Sequence, residues 1–175
     1  VSAGASKANN GCIHHGMACK PGTLKSELNI KGNRRYSDWE RELNIGLKRL
    51  GYLDVITDLN DIPKLAERVY VGLLNGVDGI TMVDPVRARE IEPGLAEQNI
   101  DVKAALHLPS HGFVETQYVC VALGENAVEN GVKFMFNTTA CGVDLKGDRI
   151  SALVTDKGII KPKFLINAAG VYADD

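Results

Sequence analysis

No stretch of this sequence approaches the roughly 20 consecutive apolar residues that a membrane-spanning helix requires. Its first residues are small and polar, so the pattern of a secretory leader is missing as well. Charge of one sign is not in excess: 20 Lys and Arg face 22 Asp and Glu, leaving a formal net charge of −2. The two signs are interleaved, which provides neither a basic stripe for nucleic acid nor a charged tail. The densest basic run, Lys31 to Arg35, reads as a solvated helix face. The four cysteines, at positions 12, 19, 120 and 141, form no compact framework. Reduced thiols in a cytoplasmic protein are the simplest account of them. Asn137-Thr138-Thr139 matches a glycosylation sequon, but nothing else points to secretion. Internal repeats and low-complexity segments are also absent.

What is present is ordinary globular material, 45% hydrophobic and 24% charged, enough for one core or one domain with pieces of a second. Pro21-Gly22-Thr23 predicts a turn and a helix start. Leu24, Leu28, Tyr36, Trp39 and Leu43 follow on one face, with an interruption expected at Gly32-Asn33. Trp39, the single tryptophan, is expected in the core. Residues 52–57 lean to strand. Asp61 reads as the cap of a helix whose stripe is Ile62, Leu65, Ala66, Val69 and Leu73, stopped by Gly76. A short strand at 80–83, a short helix opened by Asp84-Pro85 and ended at Pro93-Gly94, and a strand over 102–108 come next. After the loop Pro109-Ser110-His111-Gly112, Glu115 begins a helix with Tyr118, Val121, Ala122 and Val128 on one face. A strand over 132–136, hairpin turns at 146–148 and 156–158, and a central strand at 164–166 complete the order. The expected class is mixed α/β, helices first and strands afterwards.

The densest chemistry lies in Ser6-Lys7-Ala8-Asn9-Asn10-Gly11-Cys12-Ile13-His14-His15-Gly16. Small residues, two amides and two glycines let backbone N–H groups approach a planar or anionic ligand. The spacing around Gly4 is not that of a phosphate-binding P-loop, and no apolar strand precedes it. Cys12, His14, His15 and Cys19 do not follow zinc-ligand spacing, and adjacent histidines point apart in extended backbone, so no metal is expected. Nothing marks Cys12 as an activated thiolate.

This stretch resembles the Ser-x-x-Asn-Ser-Gly-x-Ile-His-x-Gly signature of FAD-dependent oxidoreductases of the D-amino-acid-oxidase superfamily, closest to their glycerol-3-phosphate and 2-hydroxyglutarate dehydrogenase branch. Lys20 to Lys25, Glu92 to Leu95, Gly112 to Val114, Glu129 to Val132 and the closing Ile166-Asn167-Ala168-Ala169-Gly170-Val171-Tyr172 follow in the family's order. The resemblance implies FAD as cofactor. Ser6, Asn9, Asn10 and Gly11 would run beside the flavin and its pyrophosphate, and Ala140 would offer backbone to the adenine. Ala168, Ala169 and Gly170 would lie near the pyrophosphate and ribityl chain, although an ordinary tight strand end also accounts for these three. It further implies residues 1–20 as part of the FAD-binding domain, 21–131 as mainly the substrate domain, and 132–175 as strands returning to the FAD-binding domain.

The sequence departs from the pattern in several places. No Gly-x-Gly-x-x-Gly fingerprint occurs, so the chain is expected to be an internal fragment that does not hold FAD stably by itself. Asn10 replaces a Ser, His15 replaces a small residue, and Met17-Ala18-Cys19 matches neither branch, which leaves the substrate open. The expected reaction is hydride transfer from a secondary alcohol of a small anionic hydroxy substrate to the flavin, with an unknown acceptor; oxidation of an amine or amino acid is the alternative. Peripheral membrane association of the parent protein stays open. His14 is the first candidate for positioning or deprotonating substrate, against a role confined to hydrogen bonding backbone or cofactor. His111 is the second. Lys25, Arg34 and Arg35 are weighed as anion partners against solvated helix faces.

Overall fold

The computed structural model describes residues 1–174, which divide into two compact units, Val1–Asn130 and Gly131–Asp175. The first unit is organised on a three-stranded antiparallel sheet, β2 (Leu53–Ile56), β4 (Ala104–His107) and β3 (Thr81–Val83), with β4 in the middle. Strand alternation sends neighbouring side chains to opposite faces. Leu106 therefore packs with Ile56, Leu65 and Leu108 on the face covered by α2 (Ile62–Asn75). Ala105 packs with Ala88, Leu95 and Val102 on the other face, beneath α3 (Pro85–Ile91) and α4 (Gly94–Glu97). Burial on both faces explains why Ala104, Ala105 and Leu106 follow one another without a polar residue.

A second cluster, Ile13, Ile45, Val114, Val119 and Ala122, joins the two-residue strands β1 (Cys12–Ile13) and β5 (Gly112–Phe113) to α1 (Leu24–Leu43) and α5 (Thr116–Glu129). Trp39 packs half-buried against it, its ring carrying Arg35 at 5.7 Å. Several expectations are corrected here. Helix α1 runs unbroken through Gly32-Asn33, because Asn33 is buried and its amide is hydrogen-bonded across the fold, which offsets the cost of roughly 1 kcal/mol for Gly32. The buried face of α1 is Ser26, Ile30 and Asn33, whereas Leu24 and Leu28 are exposed. On α5 the buried residues are Val119 and Ala122, while Tyr118 and Val128 face out. Asp61 makes no capping bond and instead pairs with Lys64, while Asp84 does cap α3, accepting from the Arg87 N–H at 2.8 Å.

The Gly131–Asp175 unit is an antiparallel meander, β6 (Ala140–Lys146), β7 (Arg149–Thr155) and β8 (Gly158–Ile160), joined at the expected turns. Residues 132–136 and 164–166 are not strands. Backbone needs a ladder partner to form one, and no described segment pairs with either.

Candidate active site

β1 and β5 form the seam on which the site is built: Cys12 pairs with Phe113 and Ile13 with Gly112. Gly112 has no room for a side chain, since a Cβ would lie 2.8 Å from the Lys48 carbonyl. Ahead of β1, the opening loop is held by its own amides. The Asn9 side chain accepts from the Gly11 N–H at 2.9 Å and donates to the Ser6 carbonyl at 2.8 Å, and Asn10 accepts from the Cys12 N–H at 3.2 Å. These are Asx turns, which shape the loop locally, and the Lys7 and Ala8 N–H groups close two further turns onto the Gly4 and Ala5 carbonyls, each at 3.1 Å. Ser6, Asn9 and Asn10 are exposed, whereas Gly11 is buried in left-handed conformation at φ 65°.

A cavity of about 980 Å³ opens beside this seam. One part of its wall holds Cys12, His14, His15, Tyr52 and His111; another holds the face of α2 that carries Lys64 and Arg68. Period-two alternation along β2 puts Tyr52 and Asp54 on the side facing α2, where Asp54 meets the guanidinium of Arg68. His14 and His111, the two candidate histidines, come together with ring centroids 6.2 Å apart. Cys12 Sγ lies 3.4 Å from His111 Nε2 and 3.9 Å from His14 Nδ1. His15 lines the same cavity, with its ring 5.5 Å from that of His111 and 5.3 Å from that of Tyr52. The two adjacent histidines thus do not diverge as expected, because the strand ends at Ile13 and alternation does not extend to His15.

The three imidazoles differ in environment. His14 is exposed, and His15 and His111 are buried. Burial, then His111 and His14, push the His15 pKa down to about 4. Its Nδ1 accepts from the Met17 N–H at 3.1 Å, so its proton sits on Nε2. His111 is held below its usual range by burial first, then by His14 and Arg49. Its Nδ1 is buried and has no partner among the described residues. Burial raises the Cys12 thiol, which keeps it protonated rather than nucleophilic.

Sequence reasoning missed Asn33, Arg49, Tyr52, Lys64 and Arg68. The readable signal was Asn33, a polar residue set in the apolar stripe between Ile30 and Tyr36. Of the cations weighed earlier, Arg34 is engaged by Asp78 at 2.8 Å, Arg35 lies 3.7 Å from Asp38, and Lys25 is exposed. Ala140, Ala168, Ala169 and Gly170 belong to the Gly131–Asp175 unit. Ala140 opens β6, and Asn167 Oδ1 accepts from the Ala169 N–H at 3.1 Å ahead of a 3₁₀ turn, Gly170–Tyr172.

An amide-shaped glycine loop beside a histidine-lined cavity is the kind of surface that a cofactor-binding protein presents. More narrowly, the chain belongs to the FAD dependent oxidoreductase family, which it matches over residues 1–175. It is 34% identical over 168 residues to a glycerol 3-phosphate dehydrogenase of Caloramator mitchellensis, covering 96% of this chain and 34% of that protein. It is 30% identical over 166 residues to an L-2-hydroxyglutarate dehydrogenase of Indibacter alkaliphilus, covering 95% of this chain and 40% of that protein. The chain thus spans about a third of the length of the first of these relatives and two fifths of the second. In fold it is similar to the FAD-bound L-alpha-glycerophosphate oxidase of Mycoplasma pneumoniae, with a TM-score of 0.69 and 21% identity over 86% of this chain and 38% of that one. FAD is the family's cofactor, and the residues here fit part of a flavin site. The cavity has the size of a small-molecule pocket, and the exposed Asn10 amide and the His111 ring line it.

Proposed function

We propose that the intact protein is an FAD-dependent dehydrogenase that oxidises the secondary alcohol of a small anionic hydroxy substrate, glycerol 3-phosphate or a close analogue. The observation that carries this reading is the pair His14 and His111 in one cavity wall with Lys64 and Arg68 in the same cavity. FAD, when bound, accepts the hydride. The residues of this chain do the rest. His14, the exposed imidazole, takes the hydroxyl proton, and His111, depressed and neutral near pH 7, orients the hydroxyl. Arg68, its guanidinium held by Asp54, and Lys64, which would exchange its contact with Asp61, attract the anionic end of the substrate.

Residues 1–20 and 132–175 are assigned to the FAD-binding domain and 21–131 to the substrate domain. Ser6, Asn9, Asn10, Gly11, Ala140, Ala168, Ala169 and Gly170 are assigned to cofactor contacts, because small residues leave backbone donors accessible. All four cysteines are free, which supports a reducing compartment such as the cytoplasm. Among the described residues no helix is long and apolar enough to cross a membrane.

A second reading, 2-hydroxyglutarate in place of glycerol 3-phosphate, is favoured by the relative from Indibacter alkaliphilus. Turnover of the full-length enzyme on the phosphate, the hydroxy acid and a panel of amino acids separates the readings. Activity confined to the amino acids would overturn both. Replacing His14 by Ala in the full-length enzyme is expected to lower kcat by about 10²-fold or more, the range typical of a lost general base, with flavin retained.

A further inference from the structure

His14 and His111 sit on separate loops 97 positions apart, and something has to fix their spacing. Each loop is tied to the same side chain. Asn33 Nδ2 donates to the His14 carbonyl at 2.8 Å and to the Ser110 carbonyl at 2.9 Å, which uses both of its hydrogens. The loop that carries His111 is itself a closed turn, with the His111 N–H donating to the Leu108 carbonyl at 3.2 Å. Arg49 completes the arrangement from the other side. Its guanidinium donates to the Ser110 carbonyl, to the Asn33 carbonyl at 2.7 Å and to Ser37 Oγ at 2.8 Å. Among the described residues Arg49 has no carboxylate partner, although it is half-buried. A desolvated cation without a counter-charge is costly, and here three oxygen acceptors stand in for one.

We propose that Asn33 and Arg49 act as a clamp that sets the spacing of His14 and His111, and are positioning residues for the reaction. The proposal rests on the reading of those histidines as the groups that handle the substrate. Helix α1 supplies the rigid base: Asn33 is locked in its buried face, so its amide cannot turn without losing two part-buried bonds. Arg49 also contributes charge. His111 faces Cys12 on β1, His14 and His15 after it, Tyr52 ahead of β2, and Arg49, which is the permanent cation of this group.

The test uses the full-length, flavin-loaded protein with ¹³C-labelled histidine and reads both ring titrations and steady-state kinetics. Arg49→Met is expected to move the His111 titration midpoint to higher pH, because a neighbouring cation that opposes its protonation is gone. Arg49→Met and Asn33→Ala should each lower kcat by about 10- to 100-fold while KM changes by less than about threefold, as expected for misplaced rather than missing groups. Arg49→Lys should hold the midpoint near its original value yet recover only part of kcat, since one ammonium cannot span three acceptors. Unchanged kcat and midpoint in Arg49→Met and Asn33→Ala would overturn the clamp. So would losses that merely track flavin content. If Arg49→Met does not fold, Arg49→Lys decides, and full kcat in that variant overturns the proposal. Full turnover in both His14→Ala and His111→Ala would sink the reading of the histidines instead, while the His111 midpoint in Arg49→Met still reports on the clamp.

Discussion

His15 shows how one residue can serve its neighbours by not titrating. It stands in a motif position that the family fills with a small side chain, and it is buried against His111 and Tyr52. With its pKa lowered from 6.5 to about 4, it stays neutral at pH 7 and adds no positive charge beside His111. The unfolded chain has no such constraint and protonates near the ordinary value. Between the two pKa values the unfolded state therefore binds more protons, so this contribution to stability is intact above about pH 6.5 and is lost as pH falls toward about 4. At about 1.4 kcal/mol per unit the loss amounts to roughly 3 kcal/mol at most. His111 and His107, also lowered, act in the same direction. Urea unfolding at pH 7 and pH 5 should show a clear drop in midpoint for the native sequence. His15→Gln, which cannot charge, should flatten that drop. An unaltered pH slope in His15→Gln would mean that His15 is not the buried neutral group described here.

At the level of the element, the seam between β1 and β5 depends on glycine more than on its two-residue strands. Gly11 has φ 65°, and a Cβ there would fall 2.0 Å from the Val114 carbonyl, which accepts no displacement without moving β5. Gly11→Ala combines the left-handed penalty of about 1–2 kcal/mol with that backbone clash. It should lower the unfolding midpoint markedly, whereas Gly4→Ala, with nothing within 4 Å of the added methyl, should leave it unchanged. Such close approach is what the sequence cannot print. The turn residues and the Asp84 cap were legible because each depends on neighbours in the chain. Of the stripe expected on α2, by contrast, only Leu65 is buried, Val69 is half-buried, and Ile62, Ala66 and Leu73 face out. Asn33 was misread as a helix breaker for the opposite reason. Its value comes from carbonyls 19 and 77 positions away, and local propensity carries no trace of them. The same holds for Arg68, which reads as a surface cation until the pleat of β2 turns Asp54 toward it. The local shape of the opening loop follows from Asx turns that close within a few positions, Asn9 on Gly11 and Asn10 on Cys12.

At the level of the whole molecule, the absent strands at 132–136 and 164–166 follow the same logic as the candidate flavin site. Phe164 and Ile166 are 89% and 85% exposed, values fit for side chains whose sheet neighbours lie in other parts of a longer polypeptide. The relatives share only about a third to two fifths of their length with this chain, which supports the proposal that the flavin site is completed by other parts of a longer polypeptide. A bound cofactor of this size needs most of its surface enclosed, and the exposed loop at Ser6 to Asn10 encloses one side at most. Titrating FAD into the 175-residue chain should therefore give no saturable quenching of flavin fluorescence at micromolar concentrations. The full-length protein should instead carry stoichiometric flavin through gel filtration. Tight binding by the 175 residues alone would overturn the assignment of the opening loop to one wall of a larger site. It would require the donors for the pyrophosphate to be found within this chain, with Ser6, Asn9 and Asn10 the first to be substituted.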